Sequence, residues 1–243
     1  MTTKSLKNVR VAAVAADGFE QVELTVPMKA LKKAGARVHV VSLHPSAIRG
    51  MNHMAPGKKV DVDRTILEVD PDEYDALLLP GGLISPDALR QSEEVLDFVR
   101  AFDRANKPIA VICHGPWLLI SAGLVNGRQL TSWPGIQDDV RNAGATWTDS
   151  KLVEDGNWIS SRGPHDLPVF VDAMLERFAS AAPAATETKA SSGFGRRAAW
   201  GSVGAVVAAA AGVAAWKKWG REEPPSQNDA WRHEPPPHNE YHA

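Results

Sequence analysis

The chain has 243 residues, a formal net charge of −2 and a single cysteine. This length accommodates one α/β domain of ordinary size and a further segment, while the small net charge and the lack of a basic stripe exclude a nucleic-acid-binding surface. One cysteine excludes an internal disulfide framework and is typical of a reducing compartment. Because the first residues lead into a strand without the apolar core of a signal peptide, we expect a cytoplasmic catalytic domain.

Apolar runs and amphipathic patterns alternate along the first 179 residues, and they predict strands and helices respectively. The predicted strands are Val9–Ala15, Arg37–Ser42, Ala76–Leu79, Pro108–Ile112, Gln129–Thr131, Thr146–Thr148, Leu152–Glu154 and Trp158–Ser160. The predicted helices are Gln21–Ala34, Glu93–Ala105, Trp117–Ala122, Ile136–Ala143 and Pro168–Ala179. This alternation predicts an α/β fold with a mostly parallel sheet covered by helices on both faces.

Two local signals refine this topology. Asp155 and Gly156 separate two short strand-like runs, which predicts a small antiparallel hairpin near the end of the domain. In open parallel sheets the chemistry gathers at the carboxyl ends of the strands. We therefore expect one edge of the sheet to hold three loops that follow predicted strands, namely Asp17–Glu20, Pro80–Gly82 and Cys113–His114.

Cys113 lies between the apolar run Pro108–Ile112 and the helical pattern Trp117–Ala122. A thiol at such a strand-to-helix turn points outward and lies beside the positive end of a helix dipole, which favours the thiolate. The alternative is a small buried hydrophobe, the usual role of a free cysteine. The adjacent His114 and Gly115 favour a nucleophile.

A nucleophilic thiol needs a base, groups that stabilise an oxyanion and an orienting partner. His114 is the candidate base. Candidate oxyanion donors are the backbone N–H groups of Gly81 and Gly82 and those of the helix that begins after Gly115, because glycine lets the backbone approach a substrate. Glu20 is placed to reach the sulfur from a neighbouring strand; its alternative role is an ordinary acidic residue in the first turn of a helix.

Five ordered blocks of the sequence carry a family resemblance. From about Val9 to Phe178 the chain resembles the DJ-1/PfpI superfamily, and within it the PfpI-like branch of intracellular proteases and stress proteins. The matching segments are Asp17–Leu24, Leu79–Gly82 with Pro86–Arg90, Ile112–Leu119, Thr131–Asp139 and Asp155–Arg162.

The resemblance implies a flavodoxin-like sandwich with Cys113 at a nucleophile elbow, His114 as its partner and Glu20 hydrogen-bonded to the sulfur. In the PfpI branch an acidic residue shortly after the Gly-Gly turn reaches the histidine from a neighbouring subunit, and Asp87 occupies the matching position. The resemblance therefore implies a homo-oligomer, a dimer or a hexamer, with an inter-subunit site. The alternative role of Asp87 is a helix-start residue after Pro86.

The related class I glutamine amidotransferases share the elbow but take their histidine and acid from a His-x-Glu pair far downstream. Here His165 is followed directly by Asp166, so that triad is not supported, and we interpret His165 as a loop residue near the rim of the site. The remaining histidines lack metal-ligand spacing, so we expect neither a metal nor a cofactor.

The composition changes at about residue 180. Residues 198–216 form an uncharged stretch long enough to cross a bilayer, flanked by tryptophans and basic pairs, which predicts a membrane anchor that tethers the catalytic domain. Because the stretch is rich in alanine and glycine, the alternatives are a self-associating helix and disorder. The predicted organisation is a catalytic domain at 1–179, a linker at 180–195, an Ala/Gly-rich helix at 196–219 and a disordered tail at 220–243.

Two classes of function fit these residues. The first is a hydrolase in which Cys113 attacks a carbonyl; the family is linked to peptidase activity and to deglycase or glyoxalase chemistry on methylglyoxal adducts. We favour a small reactive carbonyl over a peptide, because a shallow elbow site offers no evident groove. The second is a non-enzymatic stress protein, either a sensor whose Cys113 is oxidised to a sulfinate held by protonated Glu20, or a chaperone, for which no residue argues.

Overall fold

A computed structural model describes residues 5–181, and its β-strands build one large sheet and two small ones. The strands are β1 Arg10–Val14, β2 Phe19–Glu20, β3 Arg37–Ser42, β4 Ala47–Asn52, β5 Ala55–Asp61, β6 Arg64–Thr65, β7 Ala76–Leu79, β8 Ile109–Ile112, β9 Gln129–Leu130, β10 Thr146–Trp147, β11 Val153–Asp155 and β12 Trp158–Ser161. The large sheet has seven strands in the order β11-β12-β8-β7-β1-β3-β6. Only β11 pairs antiparallel in it, with β12, so the predicted α/β fold with a mostly parallel sheet is confirmed.

Six α-helices accompany these strands in the described part of the chain. They are α1 Gln21–Lys33, α2 Ile84–Leu89, α3 Glu93–Arg104, α4 Pro116–Ser121, α5 Gln137–Asn142 and α6 Leu167–Ala179. Short 3-10 turns lie at Ile66–Glu68, Pro71–Glu73, Pro134–Ile136 and Pro164–Asp166. In α3, the Ser92 side chain accepts a hydrogen bond from the Val95 amide and two glutamates occupy the first turn, both of which stabilise a helix start.

The central strands are buried on both faces, which explains their nearly continuous apolar sequences. Alternate residues of β8 enter different core clusters. Val111 belongs to the cluster that contains Phe102 of α3, and Ile112 belongs to the one that contains Phe170 of α6. Because the sheet is clamped between two helical layers, the carboxyl ends of its strands are rigid supports for the loops that follow them.

The strands and helices predicted between residues 9 and 179 are all present, with ends displaced by one residue at most. The predicted hairpin is confirmed, since Asp155 of β11 pairs with Trp158 of β12 around Gly156. The sequence analysis missed α2, β2, β6 and the hairpin of β4 and β5. Strand β5 is largely exposed and contains proline and glycine, so only its pairing with β4 identifies it. That hairpin joins β2 in a three-stranded sheet beside the candidate site.

The predicted membrane tether requires a correction. Within residues 5–181, no helix has the length and apolar character needed to cross a bilayer. The predicted anchor at 198–216, like the linker and the tail, lies outside the described residues. Tethering of the catalytic domain by a membrane-spanning helix is therefore not supported.

Candidate active site

Cys113 occupies the sharp turn between β8 and α4. Its φ is +62°, in the left-handed region that non-glycine residues rarely adopt, and such strain is typical of functional sites. Two backbone hydrogen bonds hold the turn. The Cys113 amide donates to the Ser161 carbonyl at 3.1 Å, and the Trp133 amide donates to the Cys113 carbonyl at 2.9 Å. The strained conformation is therefore fixed by the neighbouring strand and loop.

Two backbone amides point at the sulfur, those of Gly82 and His114. The His114 ring lies beside it as well, with Nδ1 at 3.3 Å from Cys113 Sγ. These groups can approach because Gly81 has no side chain. A Cβ there would lie 2.5 Å from the Cys113 Cβ and 2.8 Å from the His114 nitrogen. The loop after β7 therefore packs directly against the elbow, as expected for loops on one edge of the sheet.

The other two predicted oxyanion donors are already engaged. The Gly81 amide donates to Glu23 Oε2 at 2.9 Å, and the Gly115 amide donates to the Ile112 carbonyl at 2.9 Å. The predicted set of oxyanion donors is therefore corrected. The donors that face the sulfur are the amides of Gly82 and His114, and Gly81 and Gly115 act by allowing close backbone approach.

The acid beside the sulfur is Glu23, and the sequence analysis had assigned this place to Glu20. Glu23 is fully buried on the inward face of α1 and hydrogen-bonds to Cys113. Its Oε1 has no hydrogen-bond partner among residues 5–181. One signal pointed to it, because Glu23 precedes Pro27 and Leu31 at helical spacing, which places a carboxyl on the buried face of the helix.

Glu20 has a different partner, the hairpin of β4 and β5. Its Oε2 accepts a hydrogen bond from the His53 amide at 3.0 Å and lies 3.9 Å from His53 Nδ1. His53 has a φ of +57°, so the turn after β4 is bent toward the carboxylate. Glu20 lines the cavity around the sulfur, and its carboxylate holds the His53 turn, which also lines that cavity, in place.

The electrostatics of the site oppose the expectation of a resting thiolate, which was wrong. Burial raises the pKa of the Cys113 thiol well above its usual value, and the nearby Glu23 raises it further. Burial also raises the pKa of Glu23, to about 8. Helix α4, whose amino end follows the cysteine, is only six residues long. Near neutral pH the resting pair is therefore a thiol and a protonated carboxyl.

His114 lies between two tryptophans that the sequence analysis did not single out. Its ring stacks on Trp133 with centroids 6.1 Å apart and meets the edge of Trp117 at 5.1 Å. Burial lowers the pKa of His114, and the carboxylate of Asp139 opposes that shift. Asp139 accepts a hydrogen bond from Trp117 Nε1 at 2.8 Å. A neutral imidazole next to a thiol is able to accept its proton.

Within this chain, Asp87 and His165 do not line the cavity around the Cys113 sulfur. Asp87 Oδ1 pairs with Arg90 at 2.9 Å, and that guanidinium lies 4.6 Å from the centroid of the Trp117 ring. The expectation that Asp87 of a second copy completes the site stays a prediction. His165 lines a separate cavity of about 230 Å³ together with Trp133 and the ion-paired Arg162.

The sulfur opens into a cavity of about 420 Å³, within the usual range for small-molecule sites. The cavity combines polar groups near the sulfur with an apolar outer wall. Its lining residues are Gly18, Glu20, Glu23, Met51, His53, Met54, Gly82, Leu83, Ile84, Cys113, His114, Trp133 and Pro164. Among residues 5–181, no group of three or more side chains is arranged to hold a metal ion.

Comparisons with known proteins show the family and the fold of this chain. The family model described as the DJ-1/PfpI family matches residues 9–177. The chain is 47% identical over 159 residues to Deglycase PYRAB04690 of Pyrococcus abyssi, covering 65% of this chain and 93% of the relative. It is 42% identical over 162 residues to Protein/nucleic acid deglycase 2 of Escherichia coli, covering 66% and 92%. Drosophila melanogaster DJ-1beta, in its crystal structure, matches with a TM-score of 0.65 and 29% identity, covering 70% and 90%.

Proposed function

The chain belongs to the DJ-1/PfpI family, and from this premise we propose that it is a cysteine-dependent deglycase. Its substrates would be adducts that reactive α-oxoaldehydes such as methylglyoxal form with amines or thiols. The observation that carries the proposal is the convergence of a base, a neutral acid and two amide donors on one sulfur. Relatives that bear the name deglycase support the choice of substrate.

The first step forms the nucleophile. Cys113 transfers its proton to Nδ1 of the neutral His114 ring, 3.3 Å away. The thiolate is then stabilised by hydrogen bonds from the Gly82 and His114 amides and by the protonated Glu23 carboxyl. Because burial raises the pKa of the free thiol, this transfer is favoured only when a bound carbonyl is ready to accept the electron pair of the sulfur.

The adduct is a carbinolamine next to a ketone. Its amine leaves with the proton held by His114, while the carbinol hydroxyl gives up its proton and becomes an aldehyde carbonyl. The sulfur then adds to this aldehyde carbon, and the new C–S bond places a negative charge on oxygen. The amide donors that faced the thiolate face this oxyanion.

His114 then carries the proton of the sulfur-bearing carbon to the neighbouring keto carbon, which converts the hemithioacetal into the thioester of a hydroxy acid. Water hydrolyses this thioester, which releases the hydroxy acid and regenerates the thiol. The adduct and one water become the free amine and a hydroxy acid, since one carbon is oxidised while its neighbour is reduced.

Two other functions have less support. A peptidase needs a groove for an extended chain, whereas this sulfur opens into a cavity of about 420 Å³. A redox sensor needs a readily ionised thiol, whereas burial raises the pKa of Cys113. Both observations favour chemistry on a small bound carbonyl.

The test compares wild type, Cys113→Ala, His114→Ala and His165→Ala on N-acetyllysine pre-treated with methylglyoxal, measuring free amine and lactate. Removing either site residue should lower the rate at least about 1000-fold, the scale seen when a nucleophile or its base is deleted. His165→Ala is the matched control and should retain activity, because His165 does not line the cavity. Undiminished lactate release by Cys113→Ala, or cleavage of a peptide panel without deglycation, would overturn the proposal.

A further inference from the structure

The ring of His114 is held by packing more than by hydrogen bonds. Among residues 5–181 its one hydrogen-bond partner is the Cys113 sulfur, which lies 3.3 Å from Nδ1. A histidine base is commonly oriented by a third group that hydrogen-bonds to its far nitrogen, and no group of residues 5–181 takes that place at Nε2. The orientation of this base therefore depends on the two indoles against which it packs, those of Trp117 and Trp133.

Trp117 meets His114 because the two residues are one helical turn apart. The Trp117 amide donates to the His114 carbonyl at 3.1 Å, and residues three apart in such a turn lie on the same side of it. The ring centroids are 5.1 Å apart and the ring planes make an angle of 63°. On one face of the indole, the guanidinium of Arg90 lies 4.6 Å from the centroid, and Arg90 is paired with Asp87.

Asp139 holds the polar edge of the same indole. Its Oδ2 accepts a hydrogen bond from Trp117 Nε1 at 2.8 Å, which joins α5 to α4. Asp139 forms no ion pair with a lysine or arginine of residues 5–181, whereas its neighbour Asp138 pairs with Arg141 at 3.1 Å. The negative charge of Asp139 is therefore not matched by a cation, and it raises the pKa of His114 against the effect of burial.

The remaining titratable groups near His114 do not have this effect. They either line the cavity with His114 or lie behind Trp117, and they are Cys113, Glu20, Glu23, His53 and the pair of Asp87 and Arg90. The thiol and the Glu23 carboxyl are neutral near pH 7, because burial raises both pKa values. The charge that acts on the imidazole is that of Asp139.

We propose that Asp139 is a positioning residue for the base, and that it holds the His114 ring beside the sulfur through its hydrogen bond to Trp117. This role rests on the proposed function and deepens it. Asp139 does not line the cavity, so it acts without touching the substrate. The contacts from Asp139 to Trp117 and from Trp117 to His114 all lie within one chain.

The experiment measures deglycation of methylglyoxal-treated N-acetyllysine by the full-length protein and its variants. Asp139→Ala removes the acceptor of the indole N–H, so kcat should fall about fivefold while KM stays within about twofold of wild type. Asp139→Asn keeps an oxygen that can accept from Trp117 Nε1 and should retain kcat within about twofold. Asp138→Ala is the matched control from the same turn of α5. Its side chain is 80% exposed, and both kinetic constants should stay at their wild-type values.

The charge of Asp139 is measured separately, through the pKa of His114. This pKa is followed by NMR titration of the imidazole C–H signals, which are assigned by their absence in His114→Ala. Because the carboxylate raises the pKa, Asp139→Asn and Asp139→Ala should lower it, and Asp138→Ala should leave it unchanged. The acidic limb of the kcat/KM profile should move to lower pH in the same two variants. A loss of stability alone would not shift the pKa of the folded protein.

A double-mutant cycle tests whether Asp139 acts through the indole. Trp117→Phe keeps an aromatic ring beside His114 and removes the N–H group, so kcat should fall by about the same factor as in Asp139→Ala. If the route passes through Trp117, adding Asp139→Ala to Trp117→Phe should lower kcat by no more than about a further twofold. Losses that multiply in the double variant would overturn the positioning role.

The outcomes separate this role from the proposed function. If wild type releases no amine and no lactate, the proposed function fails, while the pKa of His114 still tests the role of Asp139 because it does not depend on turnover. An unchanged pKa in both Asp139 variants would overturn that role. If wild type is active and Asp139→Ala behaves like Asp138→Ala, the proposed function stands and the positioning role is overturned. An equal loss of kcat in Asp139→Ala and Asp139→Asn would also overturn it, because the hydrogen bond to Trp117 would then be immaterial.

Discussion

Strands β8 and β12 end in two chemically different regions. At their amino ends, Asp103 Oδ1 accepts hydrogen bonds from Arg128 at 2.7 Å, Trp158 at 2.9 Å and Asn157 at 3.4 Å. The guanidinium of Arg128 also lies 4.0 Å from the centroid of the Trp158 ring. This cluster, which we call the Asp103 network, joins α3 to the loop before β9 and to the start of β12. Its polar groups are well supplied with partners.

At the carboxyl ends the polar groups are incompletely partnered. Glu23 buries a carboxyl whose Oε1 accepts no hydrogen bond from residues 5–181, and Cys113 holds a strained backbone. Both groups have raised pKa values because burial disfavours their charged forms. The comparison teaches that the two ends of one sheet can have different roles. Hydrogen-bonded side chains stabilise the packing of the layers at one end, whereas groups that are energetically unfavourable to bury lie at the other, where they are available for chemistry. Four predictions test this division, from the largest expected effect to the smallest.

Replacing Gly81 by alanine should damage both activity and stability. The new methyl would lie 2.5 Å from the Cys113 Cβ and 2.7 Å from Glu23 Oε2, so the elbow must shift. We expect kcat/KM for deglycation to fall at least about 100-fold and the free energy of unfolding by about 1–3 kcal/mol. Gly123→Ala is the control. Gly123 has a positive φ, so alanine there costs some stability, but no atom lies within 4 Å of its added Cβ, so activity should persist. Wild-type activity in Gly81→Ala would contradict the packing argument.

Glu23→Gln should remove a pH dependence of stability. Burial raises the pKa of Glu23 from 4.5 to about 8, so the folded protein holds this proton more tightly than the unfolded chain. Its contribution to stability is fully present below the unfolded pKa and is lost as the pH rises toward 8, at about 1.4 kcal/mol per pH unit. Urea unfolding of wild type across this window should show the slope.

In Glu23→Gln the slope should flatten, because an amide does not titrate in this range. Glu94→Gln, at an exposed position in the first turn of α3, is the control and should leave the slope in this window near that of wild type. An unchanged slope in Glu23→Gln would show that the buried carboxyl does not retain its proton at neutral pH.

Asp103→Ala should destabilise the fold and spare the chemistry. It leaves the partly buried Arg128 without its carboxylate, and breaking such pairs costs about 3 kcal/mol. The free energy of unfolding should fall by that amount, with kcat/KM of the folded enzyme unchanged. Asp97→Ala removes an exposed acid from the same helix and should cost less than about 1 kcal/mol. A large loss of kcat/KM in Asp103→Ala would contradict the assignment of stability to the amino ends of the strands and of chemistry to their carboxyl ends.

Trp133→Ala should act through His114. Removing the stacked indole rehydrates the imidazole, and because burial lowers the pKa of His114, rehydration raises that pKa. The acidic limb of the kcat/KM profile should move to higher pH, and kcat should fall about tenfold. Trp133→Phe should restore most of both. If Trp133→Ala lowers kcat without moving the pH profile, Trp133 has no part in tuning the base.

The order of secondary structure and the place of Cys113 could be predicted from local patterns. Short apolar runs and helical spacing are properties of neighbouring residues, so they located β8, α4 and the elbow between them without knowledge of contacts. The hairpin of β4 and β5 could not be found in this way. Its strands are polar and partly exposed, and only their pairing stabilises them.

The sequence by itself determined that a cysteine and a histidine would follow a buried strand at the edge of an α/β sheet. Only the tertiary structure decided which acid joins them. Glu20 accepts a hydrogen bond from the amide of His53, a residue far away in the chain. Glu23 lies on the face of α1 that points toward the sulfur, and it hydrogen-bonds to Cys113. Tertiary structure also decided the protonation of the pair, because desolvation depends on everything that surrounds a group and not on its neighbours in sequence.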